Sequence, residues 1–197
     1  MPENKIKYGL EKVHYAIATI GTDGAATYST PVPIPGAVNL SMEPQGDTND
    51  FYADNIVYWT GVANNGYEGD LEIARIPGSF KMDVLGYIRT EKDVLVEDVN
   101  AAPVHFALLF QFEGDQKATR HVMYNCVATR PSAAGETKGE SIEPKTESLT
   151  IKATSIFVSG LGTGGKHITK GESYTSTDTT TYNGWFSAVY IPTSVHT

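Results

Sequence analysis

Between His105 and Phe112, every second residue of this chain is large and apolar: Phe106, Leu108, Phe110 and Phe112. A helix would scatter these side chains around its circumference, whereas a strand places all of them on one face. The pattern recurs in Arg120–Ala128, where Val122, Tyr124, Cys126 and Ala128 are read as one face, and Glu113-Gly114-Asp115 supplies the turn between the two runs. Val38, Leu40 and Met42 alternate with Asn39, Ser41 and Glu43, and Leu149, Ile151 and Ala153 alternate with Thr150, Lys152 and Thr154. Val13–Ile20, closed by the Gly21–Gly24 turn, and Trp185–Ile191 read as further strands. Such repeated half-buried strands with Gly, Pro and Asn between them imply a mainly β chain.

The connections carry their own signals. Pro31, Pro33 and Pro35 suit an extended connector and forbid a central strand. Pro44–Asn55 is dense in turn formers. Tyr58–Val62 and Tyr67–Ile76 are expected to pair around Ala63-Asn64-Asn65-Gly66, because Asn-Gly favours a tight hairpin. After Pro77-Gly78, Ser79 is a candidate N-cap for one helix of about two turns, with Phe80 and Val84 on one face and Gly86 as its stop. Residues 131–145 read as an exposed polar loop, and Gly160–Thr181 as a long Gly/Thr/Ser loop with at most a weak strand. No internal repeat or linker divides the chain, so the expected organisation is a polar N-terminal arm, 1–12, and a single domain, 13–197.

The net charge of −8 argues against a surface that grips nucleic acid, since phosphate binding needs clustered Lys and Arg. It is compatible with a surface that lets DNA pass without sticking. One cysteine, Cys126, cannot form an intrachain disulfide or a cysteine-based metal site. The start of the chain lacks an apolar core, so no secretory signal is expected, and no apolar run approaches the roughly 20 residues of a membrane helix.

The strongest enzyme signal is Gly160-Leu161-Gly162-Thr163-Gly164-Gly165-Lys166-His167. It follows a phosphate-binding loop until its last position, where His167 replaces the Ser or Thr that would hold magnesium, and poor helix formers follow. The favoured reading is a plain glycine loop. Asp47, Asp50 and Asp54 cluster without the ligand spacing or central glycine of a calcium loop. His14, His105, His121, His167 and His196 show no metal-binding spacing. In-step alternation makes Cys126 an inert buried thiol rather than a nucleophile. Tyr182, Trp185 and Tyr190 have the chemistry of a sugar-binding face, but aromatics on strands more often serve cores and interfaces. No catalytic residue, cofactor site or metal site is assigned.

Several ordered segments carry a family resemblance. They include 8–16 (YGLEKVHYA), 34–38 (IPGAV), 44–47 (PQGD), 51–54 (FYAD), 66–74 (GYEGDLEIA), 83–86 (DVLG), 106–110 (FALLF), 118–122 (ATRHV), 124–126 (YNC) and 182–185 (YNGW). Together, across about residues 8 to 191, the chain resembles the major tail proteins of long, non-contractile phage tails, of the type found in phages and prophages of Gram-positive bacteria. The resemblance implies two packed antiparallel sheets with a short flanking helix. It further implies hexameric rings that stack into a hollow tube, a structural and non-enzymatic role, and a place in the virion after assembly in the bacterial host cytoplasm. The implied partners are further copies of the chain, a tape-measure protein and tail-end proteins. Double-stranded DNA would pass through the lumen without specific binding, and no membrane is involved. A lumen lined by more acidic than basic side chains is expected, because a cationic one would hold the phosphates.

Within Pro44–Gly66, turn chemistry meets aromatic side chains, and Asp47, Asp50, Phe51, Tyr52, Asp54, Tyr58 and Trp59 are the candidate contacts between stacked rings. Two other classes remain open on sequence. A lectin-like or receptor-binding tail module would hold a defined ligand site and stay a small oligomer. A nucleotide-using enzyme would depend on Lys166.

Overall fold

The computed structural model describes residues 3–135, 137 and 144–194. Alternating apolar residues make most of it strand. In chain order the elements are β1 (Lys7–Ile20), β2 (Ala26–Tyr28), β3 (Val32–Pro33), β4 (Ala37–Gln45), β5 (Thr48–Ala53), β6 (Ile56–Val62) and β7 (Gly66–Ile73). Helix α1 (Gly78–Asp83) follows, then β8 (Ile88–Arg89), β9 (Leu95–Val96), β10 (Phe106–Gly114), β11 (Thr119–Ala128) and β12 (Glu147–Thr154). The last elements are β13 (Ile156–Val158), β14 (Lys166–Ile168), β15 (Lys170–Glu172) and α2 (Thr179–Gly184).

A nine-stranded antiparallel sheet forms the body, with the path β2-β1-β10-β11-β12-β7-β4; β3 pairs onto β1, and β15 onto β11. Three small two-stranded sheets, β5-β6, β8-β9 and β13-β14, surround it. The large sheet bends round until β4 touches β1 again. One core cluster therefore draws on β1, β7, β10, β11 and β12 together, through Tyr15, Leu71, Phe106, Leu108, Met123 and Ile151. Helix α1 plugs this core with Phe80, whose ring meets Tyr15 and Phe106 edge-on at 5.1 and 5.6 Å. The layered β architecture implied by the resemblance is realised by this single curled sheet rather than by two separate ones.

The opposite face of the central strands is buried as well. Ala107 and Leu109 of β10 and Val122 and Tyr124 of β11 pack under β13 and the C-terminal segment, with Trp185, Phe186, Val189 and Ile191 in the same cluster. The alternation of Phe106, Leu108 and Phe110 is thus real, and the intervening residues are buried too.

Several expectations are corrected. The β11 residues Val122, Tyr124, Cys126 and Ala128 do not share a face: the pairs Phe106↔Cys126 and Leu108↔Met123 require an extra residue in β11. This bulge turns Cys126 and Ala128 into the first core and leaves Val122 and Tyr124 in the second. Asn125, at the bulge, is held by His105 Nδ1 at 2.6 Å and donates to Thr154 Oγ1. Strand β1 begins at Lys7, inside the segment expected as an arm, and Asn4 fastens to the β10–β11 turn by accepting from the Gln116 and Lys117 amides. Ser79 lies inside α1 and does not cap it; Pro77 holds the N-cap position with no side-chain bond, while Phe80 and Val84 are both buried as expected. Trp185–Ile191 is not a strand: Trp185 caps α2, and a turn with irregular chain follows. The described part of the 131–145 loop is irregular and mostly exposed; residues 136 and 138–143 of that loop, and His196, lie outside the described residues.

Candidate functional site

The predicted pairing of β6 with β7 around Asn64-Asn65-Gly66 does not occur. Strand β7 instead pairs with β4, from Ala37↔Ile73 to Gln45↔Gly66, and β6 pairs with β5, from Thr48↔Val62 to Ala53↔Ile56. The two ladders run on from each other. Asn65 N donates to Gln45 O at 2.8 Å and Ala63 N to Asp47 O at 3.0 Å across the junction. Gly46 permits it: its φ is +153°, and a Cβ there would lie 2.0 Å from the Ala63 carbonyl oxygen. The true tip is Asp54-Asn55, both with positive φ (52° and 61°), as a tight primed turn demands. The segment expected as turns, Pro44–Asn55, therefore contains a strand.

The outcome is a long ribbon whose outer half, β5–β6, stands clear of the domain. Phe51, Tyr52, Tyr58 and Trp59 are each 59–69 % exposed, and Ile56, Val57 and Val62 are exposed beside them. Phe51 is paired with Trp59 across the ladder, and the Trp59 ring lies over Gly61, where a Cβ would come within 2.3 Å of it. Thr60 Oγ1 donates to Asp50 Oδ1 at 2.7 Å. The structure thus brings all seven predicted residues onto one protruding element. Residues 46–66 carry Asp47, Asp50 and Asp54 and no Lys or Arg. A two-stranded hairpin is marginal alone in water, and a contiguous exposed apolar surface marks an interaction site.

The other candidates settle into structural places. The glycines of the phosphate-loop lookalike connect β13 to β14, with Gly162, Gly164 and Gly165 at positive φ, and Lys166 opens a strand rather than a helix. The oriented helix N-terminus that such a loop uses to bind phosphate is missing at that point. Asp47, Asp50 and Asp54 are strung along the hairpin, and no cluster of three or more metal-ligating side chains forms among the described residues.

His121 stacks on Phe110 at 5.0 Å and touches Phe112 edge-on, and its Nδ1 lies 3.5 Å from Glu172. Burial outweighs that carboxylate and lowers its pKa to about 4, so the ring is neutral at neutral pH. Burial also pushes the Cys126 thiol up to about 12, which removes its nucleophilicity. His14 packs on Phe186, and His167 on Phe157. Trp185 is buried, stacks on Tyr190 at 5.7 Å and donates from Nε1 to His121 O. Tyr182 lies under the Arg120 guanidinium. These aromatics cover the sheet instead of presenting a sugar platform.

Sequence reasoning missed the β8–β9 hairpin. There Ile88, Val94 and Val96 are exposed, and Leu95, between the two valines, lines an open groove with Ile76. Two-residue strands are too short to show a period.

Comparison with known protein families gives one finding: the model described as "Phage tail tube protein" matches residues 2–160. No curated protein matches the chain.

Proposed function

This chain belongs to the phage tail tube protein family, and we propose that it is the major tail protein of a long, non-contractile tail, closing into hexameric rings that stack as the conduit for double-stranded DNA. A structural part in the phage tail follows from the family itself. The finer reading is carried by one observation, the β5–β6 hairpin, which exposes four aromatic rings on an element paired only within itself. Such a surface gains stability when a neighbour covers it.

Asp47, Asp50, Phe51, Tyr52, Asp54, Tyr58 and Trp59 are proposed as contacts between stacked rings. Strand β4, which ends the path of the large sheet, leaves ladder groups for a neighbour within a ring to pair, the usual remedy for an exposed edge. Residues 13–197 act as one tube domain, with the start of the chain laid onto it through β1. The C-terminal segment belongs to that domain, because Trp185 and Ile191 cover the second core. A tape-measure protein and tail-end proteins are the further proposed partners. The charge of −8 per copy favours a lumen with more acidic than basic side chains, along which phosphates slide.

Negative-stain electron microscopy across a concentration series tests the reading. Rings or hollow tubes of uniform width are expected for the full chain and not for a variant lacking Thr48–Asp54 whose circular dichroism stays native. Identical assembly by that variant overturns the role given to the hairpin.

A further inference from the structure

The β4–β7 ribbon has two ends. The Gln45↔Gly66 end continues into the hairpin, and the Ala37↔Ile73 end opens on a groove of about 490 Å³. Its walls and floor are apolar, formed by Pro35, Ile76, Pro77 and Leu95. Two cations line it, Arg75 and Lys81, and no carboxylate does. Among the described residues, neither cation takes part in an ion pair. The groove is held in shape by one main-chain bond, Ala74 N to Gly36 O at 2.7 Å, and one to a side chain, Ile76 N to the Glu147 carboxylate Oε2 at 2.7 Å.

We propose that this groove is the acceptor for the β5–β6 hairpin of a second copy of the chain, resting on the reading of that hairpin as a contact between rings. A stack that repeats in one direction needs two different, complementary patches on opposite ends of the subunit, since each copy gives with one end and receives with the other. Hairpin and groove occupy the two ends of one ribbon, separated by about 25 Å of paired strand.

The charges match: three aspartates and no cation on the hairpin, and two cations lining the groove, where the one carboxylate close by, Glu147, accepts from the Ile76 amide and is not a lining residue. Opposed charges of this kind steer encounter and set register. The apolar surfaces match as well, with exposed rings on one side and the Pro35, Ile76, Pro77 and Leu95 lining on the other. A preformed groove loses little freedom on binding.

The test uses the full chain with single introduced cysteines, because Cys126 is buried. Tyr52→Cys protein is mixed with Arg75→Cys protein, or with Ser132→Cys protein as a control, and treated with a short bis-maleimide. A covalent dimer is expected only in the first mixture, or roughly tenfold faster there. No dimer, or equal rates, overturns the assignment.

Charge reversal supplies a second arm. Arg75→Glu with Lys81→Glu should raise the concentration needed for association by about tenfold or more, and mixing with an Asp50→Lys, Asp54→Lys chain should restore association. If loss of Thr48–Asp54 abolishes assembly while groove reversal leaves it unchanged, the hairpin reading stands and its acceptor lies elsewhere. If neither change matters, both fall. A chain that neither associates nor cross-links at any concentration also counts against both.

Discussion

Replacing Trp59 with alanine separates folding from assembly, and its two effects can be sized from the structure. In the free subunit the side chain is 61 % exposed and contributes mainly the cross-strand pair with Phe51. Losing that pair costs about 0.2–1 kcal/mol, or at most a few degrees in Tm for a domain of this size. In the proposed contact between rings, the exposed part of the Trp59 side chain would become buried. A tryptophan offers about 200 Å², so roughly 120 Å² remains to be covered, worth about 3 kcal/mol per contact at 25 cal/mol per Å². That corresponds to about a hundredfold in association constant. Light scattering against concentration reads the assembly threshold, and thermal melting of dilute protein reads the fold. The expected result is a threshold raised by about two orders of magnitude with Tm nearly unchanged. An unchanged threshold would refute the reasoning, and so would a Tm fall of ten degrees or more, which would place Trp59 in the fold instead.

Phe80→Ala should act the other way. Its ring is fully buried against Tyr15 and Phe106, so a loss of about 3–5 kcal/mol is expected, read as a lower urea midpoint; a loss below about 1 kcal/mol would show that α1 does not plug the core. His121, with a folded pKa of about 4 against an ordinary value near 6.5, binds fewer protons folded than unfolded between those values. Stability from this residue is therefore present above about pH 6.5 and is lost as pH falls toward 4, by roughly 2–3 kcal/mol. Urea midpoints measured from pH 7.5 to 4 should show that slope in the parent and a shallower one in His121→Phe.

What the sequence disclosed depended on how local the signal was. In β10 the alternation of Phe106, Leu108 and Phe110 appears as a strand face because no residue interrupts it. In β11 the same rule misplaces Cys126 and Ala128, since the bulge near Asn125 adds a residue that no periodicity reveals and only pairing with β10 shows. Asn65-Gly66 carries a strong turn signal, yet Asp54-Asn55 makes the tip. Pairing with β4 gives β7 a longer ladder than β6 could, and that choice is non-local. Thr48–Ala53 was hidden as a strand by its Asn and Asp, residues tolerated there because both faces meet water. Trp185–Ile191 is apolar because it must cover the second core, not because it is pleated. The exposure of the seven candidate residues was nevertheless legible, since turn chemistry beside aromatics needs no knowledge of pairing; their role as contacts is the proposal.

The distribution of burial implies that folding and assembly draw on different residues. Phe106 to Gln111 of β10 are buried on both faces, one by the curled sheet and α1, the other by β13 and the C-terminal segment. The central strands therefore need no neighbour to be dry. Apolar surface left uncovered is concentrated in β5–β6 and around β8–β9, at opposite ends of the β4–β7 ribbon. A subunit built this way can fold and remain dispersed while dilute, because a single hairpin–groove contact must overcome the lost freedom of a whole protein. Under the proposed hexameric ring, six such contacts in parallel would be offered to the next ring, and the arriving subunits would share that cost through their neighbours. Growth from a starting ring is then favoured over starting anew, which suits an assembly that must form one tube and not many fragments.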